Sequence, residues 1–499
     1  MTSWWPVAAI VAVVVATIGI GLFGVRVSRT TSDFLVASRS VSPLLNASAI
    51  GGEYLSAASF LGIAGLVLTY GVDMLWFPVG YTVGYLVLLI LVAAPLRRSG
   101  AYTLPDFAEM RTRSRKVRLT SSALVVLIGW LYLLPQLQGA GLTLSALTGA
   151  PSWVGSFVAA VVVAITVAVG GMRSITVVQA FQYWLKLVAI ALPAVLLVAA
   201  WYRDGAPVFT DGAWGDPLSG YGGREYPLYS TYSILLATFL GTMGLPHVLV
   251  RFYTNPDGRA ARRTTLAVLG LLSVFYVFPP ILGALGRVYA PELAGTDQAD
   301  TVVLLLPSLV FEGWPGQALS ALVAAGAFAA FLSTASGLSV SVAGVLSQDL
   351  LRHEGRLGDG VRRFRLGTVI AVVVPFLLAL VAGRANLAQT VTLAFAVAAS
   401  TFCPLLVLGI WWPRLTTRGA LAALWVGGGT ALAAVVLVLS FGPFTGILGA
   451  LLGQPAAWTV PLAFFAAIVV SLRSSERGRR TADAAMTRLH APEELEARR

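Results

Sequence analysis

Apolar windows about 20 residues long follow one another along this chain, separated by short polar links. They run approximately over 5–25, 45–71, 74–96, 120–147, 152–170, 175–201, 230–250, 265–288, 318–348, 366–383, 387–411, 419–440 and 456–473. In hydrocarbon each peptide group must find its partner inside its own segment, so such windows fold as a bundle of membrane helices. Composition agrees: 57% of the 499 residues are hydrophobic and 11% charged, and mean hydropathy is +0.82, whereas soluble domains are roughly a quarter charged. The expectation is an all-α polytopic membrane protein of about 13 transmembrane helices. One membrane domain spans 1–475, and a charged, Ala-rich tail at 476–499 reads as disordered. Two apolar segments, 301–312 and 443–453, are too short to span and read as interfacial or re-entrant. A short polar link at 103–113 carries an interfacial helix, and the Gly-, Pro- and Asp-rich stretch 202–229 reads as an outer loop or lid.

The net charge of +12 raises the question of nucleic acid, and the placement of the basic residues answers it. If the N-terminus lies outside, 29 of the 34 Lys and Arg fall in alternate loops and in the tail, on the cytoplasmic side. Arg203, Arg224, Arg287, Arg384 and Lys186 are the exceptions. Such asymmetry is the positive-inside rule, which absorbs the excess charge and leaves no case for nucleic acid. The first window has no basic n-region and its first arginines, Arg26 and Arg29, follow the apolar run. It therefore reads as a retained span of a cell-membrane protein with a cytoplasmic C-terminus. The lone Cys403 excludes a disulfide framework, and His247, His353 and His490 are too scattered for a metal site. No HExxH, nucleophile elbow or P-loop occurs, so the chain does not read as an enzyme, and no organic cofactor or obligatory protein partner is indicated.

Three windows carry more than an anchor needs. The stretch 43–71 places Gly51-Gly52, Glu53, Ser56 and Ser59 at membrane depth, where charge marks a site and a broken helix must line an enclosed cavity. The window 230–250 places Gly241, Gly244 and Pro246 within six residues, a second break. Two interrupted spans, five apart, are the pattern of inverted repeats around a midplane site. In the window 318–348, Ser333, Thr334, Ser336, Ser339 and Ser341 cluster in an apolar helix. Their hydroxyls, with carbonyls freed by a break, suit a hard cation; close helix packing uses the same residue types. Lys186 either snorkels, pairs with a carboxylate or meets substrate, and Gln136 and Gln138 beside Pro135 are cavity donors. His247 is either a neutral histidine bonded to a helix end or part of the site.

These residues carry a resemblance. Gly-Glu-Tyr-Leu-Ser-Ala-Ala-Ser-Phe-Leu-Gly at 52–62, Gly-Leu-Pro-His at 244–247 with Arg251-Phe252, Leu-Ser-Thr-Ala-Ser-Gly at 332–337 and Leu-Thr-Thr-Arg-Gly at 415–419 resemble the sodium:solute symporter family. Within it the chain looks most like the cation/acetate (monocarboxylate) symporters. The resemblance implies a LeuT-like 5+5 inverted-repeat core over about 45–201 and 230–411, with one helix before and two after. It implies a sodium site made of the carbonyls of Gly52, Leu55 and Ala330 and the hydroxyls of Ser333 and Thr334. It further implies substrate near Glu53, Tyr54, Ser56, Gly241, Thr242 and Gly244, beside which Gln136 is read as a substrate-binding donor from its place in the window. The acetate subgroup has Asp-Tyr where this chain has Glu53-Tyr54, so its carboxylate reaches one methylene further. The expected function is import of a short monocarboxylate (acetate, propionate or pyruvate) coupled to Na⁺ or H⁺. The alternatives are a family symporter for an amino acid, pantothenate or sugar, and a membrane sensor.

Overall fold

The computed structural model describes residues 4–25, 41–208, 218, 225–351, 360–381, 386–442, 444–474 and 479–491. Among these there is no strand. The helices are α1 (Trp5–Val25), α2 (Pro43–Tyr54), α3 (Ile63–Tyr70), α4 (Trp76–Leu91), α5 (Ala93–Arg98), α6 (Leu104–Thr112) and α7 (Arg115–Thr148). Next come α8 (Ser152–Arg203), α9 (Pro227–Gly244), α10 (Pro246–Phe252), α11 (Gly258–Phe275), α12 (Phe278–Tyr289), α13 (Val302–Val310) and α14 (Trp314–Val345). The last are α15 (Gly360–Val381), α16 (Leu387–Trp411), α17 (Thr417–Phe441), α18 (Gly446–Gly453), α19 (Ala456–Arg473) and α20 (Arg479–His490).

Eleven segments among the described residues are long and apolar enough to cross a bilayer, and the bent pair α9–α10 makes a twelfth. The difference from thirteen arises at 45–96. There the expected second span is split, and its later half runs on through a 3₁₀ turn, Gly71–Leu75, into α4. The 52 residues of α8 would measure about 78 Å if straight, and they hold the segments Ser152–Gly170 and Ser174–Arg203, where spans at 152–170 and 175–201 were expected. Helix starts outside the spans are set by side chains. Thr103 and Asp106 form a capping box on α6, Asp257 accepts from Ala260 N on α11, and Asn386 accepts from Ala388 N and Gln389 N on α16.

Links expected on the same side of the membrane do meet. On one face Arg97 bonds the carbonyls of Asn255 and Pro256, and Arg111 bonds those of Gly409 and Trp412. There Arg118 joins Asp106, Glu109 and Asp349 at 2.8, 2.5 and 2.7 Å. On the other, Arg287 reaches the carbonyls of Val67 and Thr69, Tyr289 donates to Asp204, and Asp300 accepts from Asn386 and Leu387.

Two expectations change. The tail is not without structure: α20 lies within it, with Leu489 buried, His490 bonded to the Ile410 carbonyl oxygen and its ring against Trp411. An apolar stripe on a charged helix gives the segment something to bury, which composition averaged over the tail conceals. Most of the expected lid at 202–229 lies outside the described residues, although Leu218 N donates to Asp73.

Candidate functional site

The core of the bundle is α14, buried from Val323 to Val345 and packed along α8, α7 and α2. Its polar stripe faces the end of α2. That helix stops at Tyr54: Leu55 has φ −72° and ψ 87°, Leu55 and Ser56 are not helical, and the chain then restarts through a π-helical turn, Ala58–Gly62, into α3. The break thus falls two residues beyond Glu53 and not at the glycine pair. Gly51 and Gly52 are helical and serve a different end. A Cβ on Gly51 would lie 2.8 Å from the Tyr183 ring, and one on Gly52 would collide with the Gln179 backbone carbonyl. The pair brings α2 against α8. Gln136, expected to face substrate, accepts from the freed Ala57 N at 2.9 Å and so supports the break.

The second break is narrower. Between α9 and α10 only Leu245 is extended, at φ −75° and ψ 117°, and the axes bend by 45°. Pro246 starts α10, where a missing N–H matters least. Gly241 and Gly244 admit the carbonyls of Phe395 and Ala398 on α16. Tyr54 and Thr242 tie the two breaks together by a 2.8 Å hydroxyl bond. Around them Tyr54 meets Tyr85 edge-on at 4.7 Å, and Tyr132 packs on His247 at 5.3 Å and on Phe395 at 5.7 Å. Both ring nitrogens of His247 and the Tyr85 hydroxyl are buried without a hydrogen-bond partner among the described residues.

The charges are what the sequence reading placed least well. Arg251, counted above among cytoplasmic loop residues, is 1% exposed inside α10. Its Nε donates to Glu53 Oε2 at 2.6 Å, and its other nitrogens donate to Thr176 Oγ1 and Gln179 Oε1. Gly337 on α14 leaves the space that the Glu53 carboxylate fills. Lys186 does not snorkel: it is fully buried. Its Nζ donates to the carbonyl oxygens of Gly52 and Leu55, the latter at 2.8 Å, and to Ser333 Oγ at 2.6 Å. Ser333 Oγ lies 2.7 Å from Gly52 O and 3.0 Å from Ala330 O, and Thr334 Oγ1 donates to Glu53 O at 2.6 Å. Gln179 Nε2 donates to Ser333 O. Arg251, Thr176, Gln179 and Tyr85 were not singled out as site residues from the sequence. An arginine four residues past a helix-breaking Pro-His was the available signal for the first of these.

A cavity of about 830 Å³ lies apart from the breaks, on the face of Asp300, lined by Gln138, Ser145, Ser152, Trp153, Asp297 and Asn386 among others. Gln138, expected with Gln136 to be a cavity donor, lines it, while Glu53, Tyr54, Ser56, Gln136, Gly241, Thr242 and Gly244 do not. Burial pushes the Asp300 carboxyl up to about 7, against hydrogen bonds from Leu387 N and Asn386 that pull it down. No group of three or more His, Cys, Asp or Glu able to hold a metal occurs among the described residues.

A helical membrane bundle with two interrupted helices meeting at a buried polar site is the architecture of a secondary transporter. Comparison with known proteins gives the family. Residues 34–427 match the model of the sodium:solute symporter family. The chain is 32% identical over 487 residues to the "Uncharacterized symporter YwcA" of Bacillus subtilis (strain 168), covering 93% of this chain and 94% of that one. Among solved structures, a Na⁺-coupled sialic acid symporter in a substrate-bound outward-open state matches with a TM-score of 0.70 at 15% identity, over 94% of this chain and 98% of that one. Mhp1, a nucleobase-cation-symport-1 family transporter, in a closed form with bromovinylhydantoin, matches at 0.58 and 17%, over 92% and 99%. MhsT in complex with L-phenylalanine matches at 0.55 and 14%, over 86% and 98%. The chain belongs to the sodium:solute symporter family, whose members are transporters taking a solute and a sodium ion as partners, and its fold is LeuT-like.

The structure brings together all five residues that the family resemblance makes sodium ligands. Two of the carbonyls and one hydroxyl, however, bond the Lys186 amine, and the Ala330 carbonyl and Thr334 hydroxyl lie within the chain's own hydrogen bonds. With Lys186 so placed, the residues do not fit a sodium ion.

Proposed function

We propose that this chain is a secondary active symporter that imports short monocarboxylates such as acetate, propionate or pyruvate, with Na⁺ or H⁺ as the co-transported cation. The observation that carries the reading is the charge balance at the first break. Two basic side chains, Lys186 and Arg251, are buried here with a single carboxylate, Glu53, which pairs with Arg251; with its amine protonated, Lys186 gives the cluster one positive charge more than it can pair internally. An unpaired buried charge is costly, and an anionic solute would relieve it. The unpartnered His247 ring and Tyr85 hydroxyl, within an aromatic wall of Tyr54, Tyr132 and Phe395, suit a small carboxylate with a short apolar tail. In this reading Glu53, Tyr54, Ser56, Thr242 and the close-packed Gly241 and Gly244 line or shape the pocket, and Gln136 holds the break open.

An anion entering a negative-inside cell moves against the potential, at about 2.3 kcal/mol per charge per 100 mV. One co-transported cation cancels that term. Alternating access follows if the two broken helices rock against the rest, with the Arg118 cluster closing one face. The N-terminus lies outside and the tail inside, as the placement of basic residues supports.

The test is uptake of labelled acetate by proteoliposomes under separately imposed Na⁺ and H⁺ gradients, with competition by propionate, pyruvate, neutral amino acids and sugars. Competition by the short acids supports the reading. Uptake blocked by an amino acid or sugar and untouched by propionate would replace it with another solute class.

A further inference from the structure

We infer that the amine of Lys186 is the resident cation between α2 and α14, and that this transporter does not bind sodium there or require it; the inference rests on the proposed transport role of this site. Carbonyls released at a helix break, joined by a hydroxyl from a facing helix, are a place for a small cation. Here the released carbonyls are those of Gly52 and Leu55, and the hydroxyl is Ser333 Oγ. A lysine amine carries up to three donors and needs no acceptor, and Lys186 Nζ has one oxygen for each of the three. A metal ion on the same oxygens would lie within bonding distance of that nitrogen, repelled by it and deprived of its ligands.

The neighbouring structure is arranged around the lysine. Its stem descends from α8, which the Gly51-Gly52 pair draws against α2, within reach of the carbonyls at the break. Gln179, two turns earlier on α8, holds the Ser333 carbonyl and takes the Arg251 guanidinium, fixing α14 and α10 relative to the same helix. A sodium ion leaves when a transporter opens inward. A tethered cation stays with the protein, so occupancy of this position does not depend on the ion outside.

Thermal unfolding of the full-length protein in detergent, in NaCl against choline chloride at equal ionic strength, reads sodium binding without any solute. Wild type is expected to show no shift. Lys186→Ala frees the three oxygens, and sodium should then raise its melting temperature by about 2 °C or more, as a ligand of the native state does. A sodium-dependent rise in wild type overturns the inference, and so does a folded Lys186→Ala protein with no response. If that variant does not fold, the wild-type titration decides alone. Acetate uptake by wild type is expected to be equal in the two salts, and a loss of more than about tenfold in choline also overturns the inference. Absence of acetate uptake in either salt would instead count against the proposed solute, leaving the unfolding result to stand for itself.

Discussion

The two helix breaks answer the same backbone problem in different ways. At the first, between α2 and the π-turn before α3, two residues leave the helix and the freed groups are taken up by charge and amide. Lys186 holds two carbonyls, and Gln136 holds the Ala57 N–H. At the second, between α9 and α10, one residue is extended and proline removes the donor that would need a partner, so no charge is required. The first break is an ion-like node that fixes four helices. The second is a hinge, joined to the first break by the hydroxyl pair Tyr54–Thr242 and, beyond the bend, by the Arg251–Glu53 pair. A break stabilised by buried charge is specific about what sits there, whereas one stabilised by proline and close packing is free to bend.

That contrast can be tested by graded damage. The largest effect is expected from Arg251→Ala, which leaves Glu53 buried without its ion-pair partner. Removing one partner of such a pair costs about 3–5 kcal/mol. The detergent-solubilised variant should lose its monodisperse elution peak at ambient temperature, and Glu53→Gln combined with Arg251→Met should restore much of it. A single variant as stable as wild type would mean that the pair is not buried as described. Next, Gly52→Ala forces a methyl group onto the Gln179 carbonyl and should cost about 1–3 kcal/mol by overpacking. Gly244→Ala meets the Ala398 carbonyl similarly, but beside a hinge that can yield, so its melting temperature should fall less. Equal falls would erase the distinction between node and hinge.

Thr242→Val removes the hydroxyl bond across the breaks and should cost about 1 kcal/mol. If the second break is the mobile one, its transport rate should change more than its stability. A separate, pH-dependent effect concerns Asp300, whose carboxyl packs on Gly65 of α3, the continuation of the first break. Because burial raises this group to about 7, the folded protein keeps a proton that the unfolded chain releases above the ordinary carboxylate value. Through Asp300, stability should therefore fall as pH rises from 3.8 to about 7. Asp300→Asn should flatten that window in a melting series, and an unchanged slope would remove Asp300 as its source.

The spans were legible because hydrocarbon leaves the backbone few choices. Windows 387–411 and 456–473 match α16 and α19 residue for residue, and both interrupted spans were found where glycine, proline and a carboxylate sit in apolar runs. What the glycines do was not legible. Gly51-Gly52 reads locally as weak helix, yet the helix continues through it because α8 packs there and supplies what the residues lack. Arg251 was misplaced because a basic residue near a span end obeys the positive-inside pattern whether or not its head group turns inward. Helix α20 was hidden by the average composition of its segment.

By itself the sequence determined a polytopic helical bundle with two broken spans and a buried polar site, since apolar length and intramembrane charge are local properties that the bilayer enforces. Only the tertiary structure decided which charge meets which oxygen. Lys186 and Ser333 are 147 residues apart, and Glu53 and Arg251 are 198 apart. Such pairings depend on how helices pack, and a few ångströms determine whether three converging oxygens hold a free ion or a side chain.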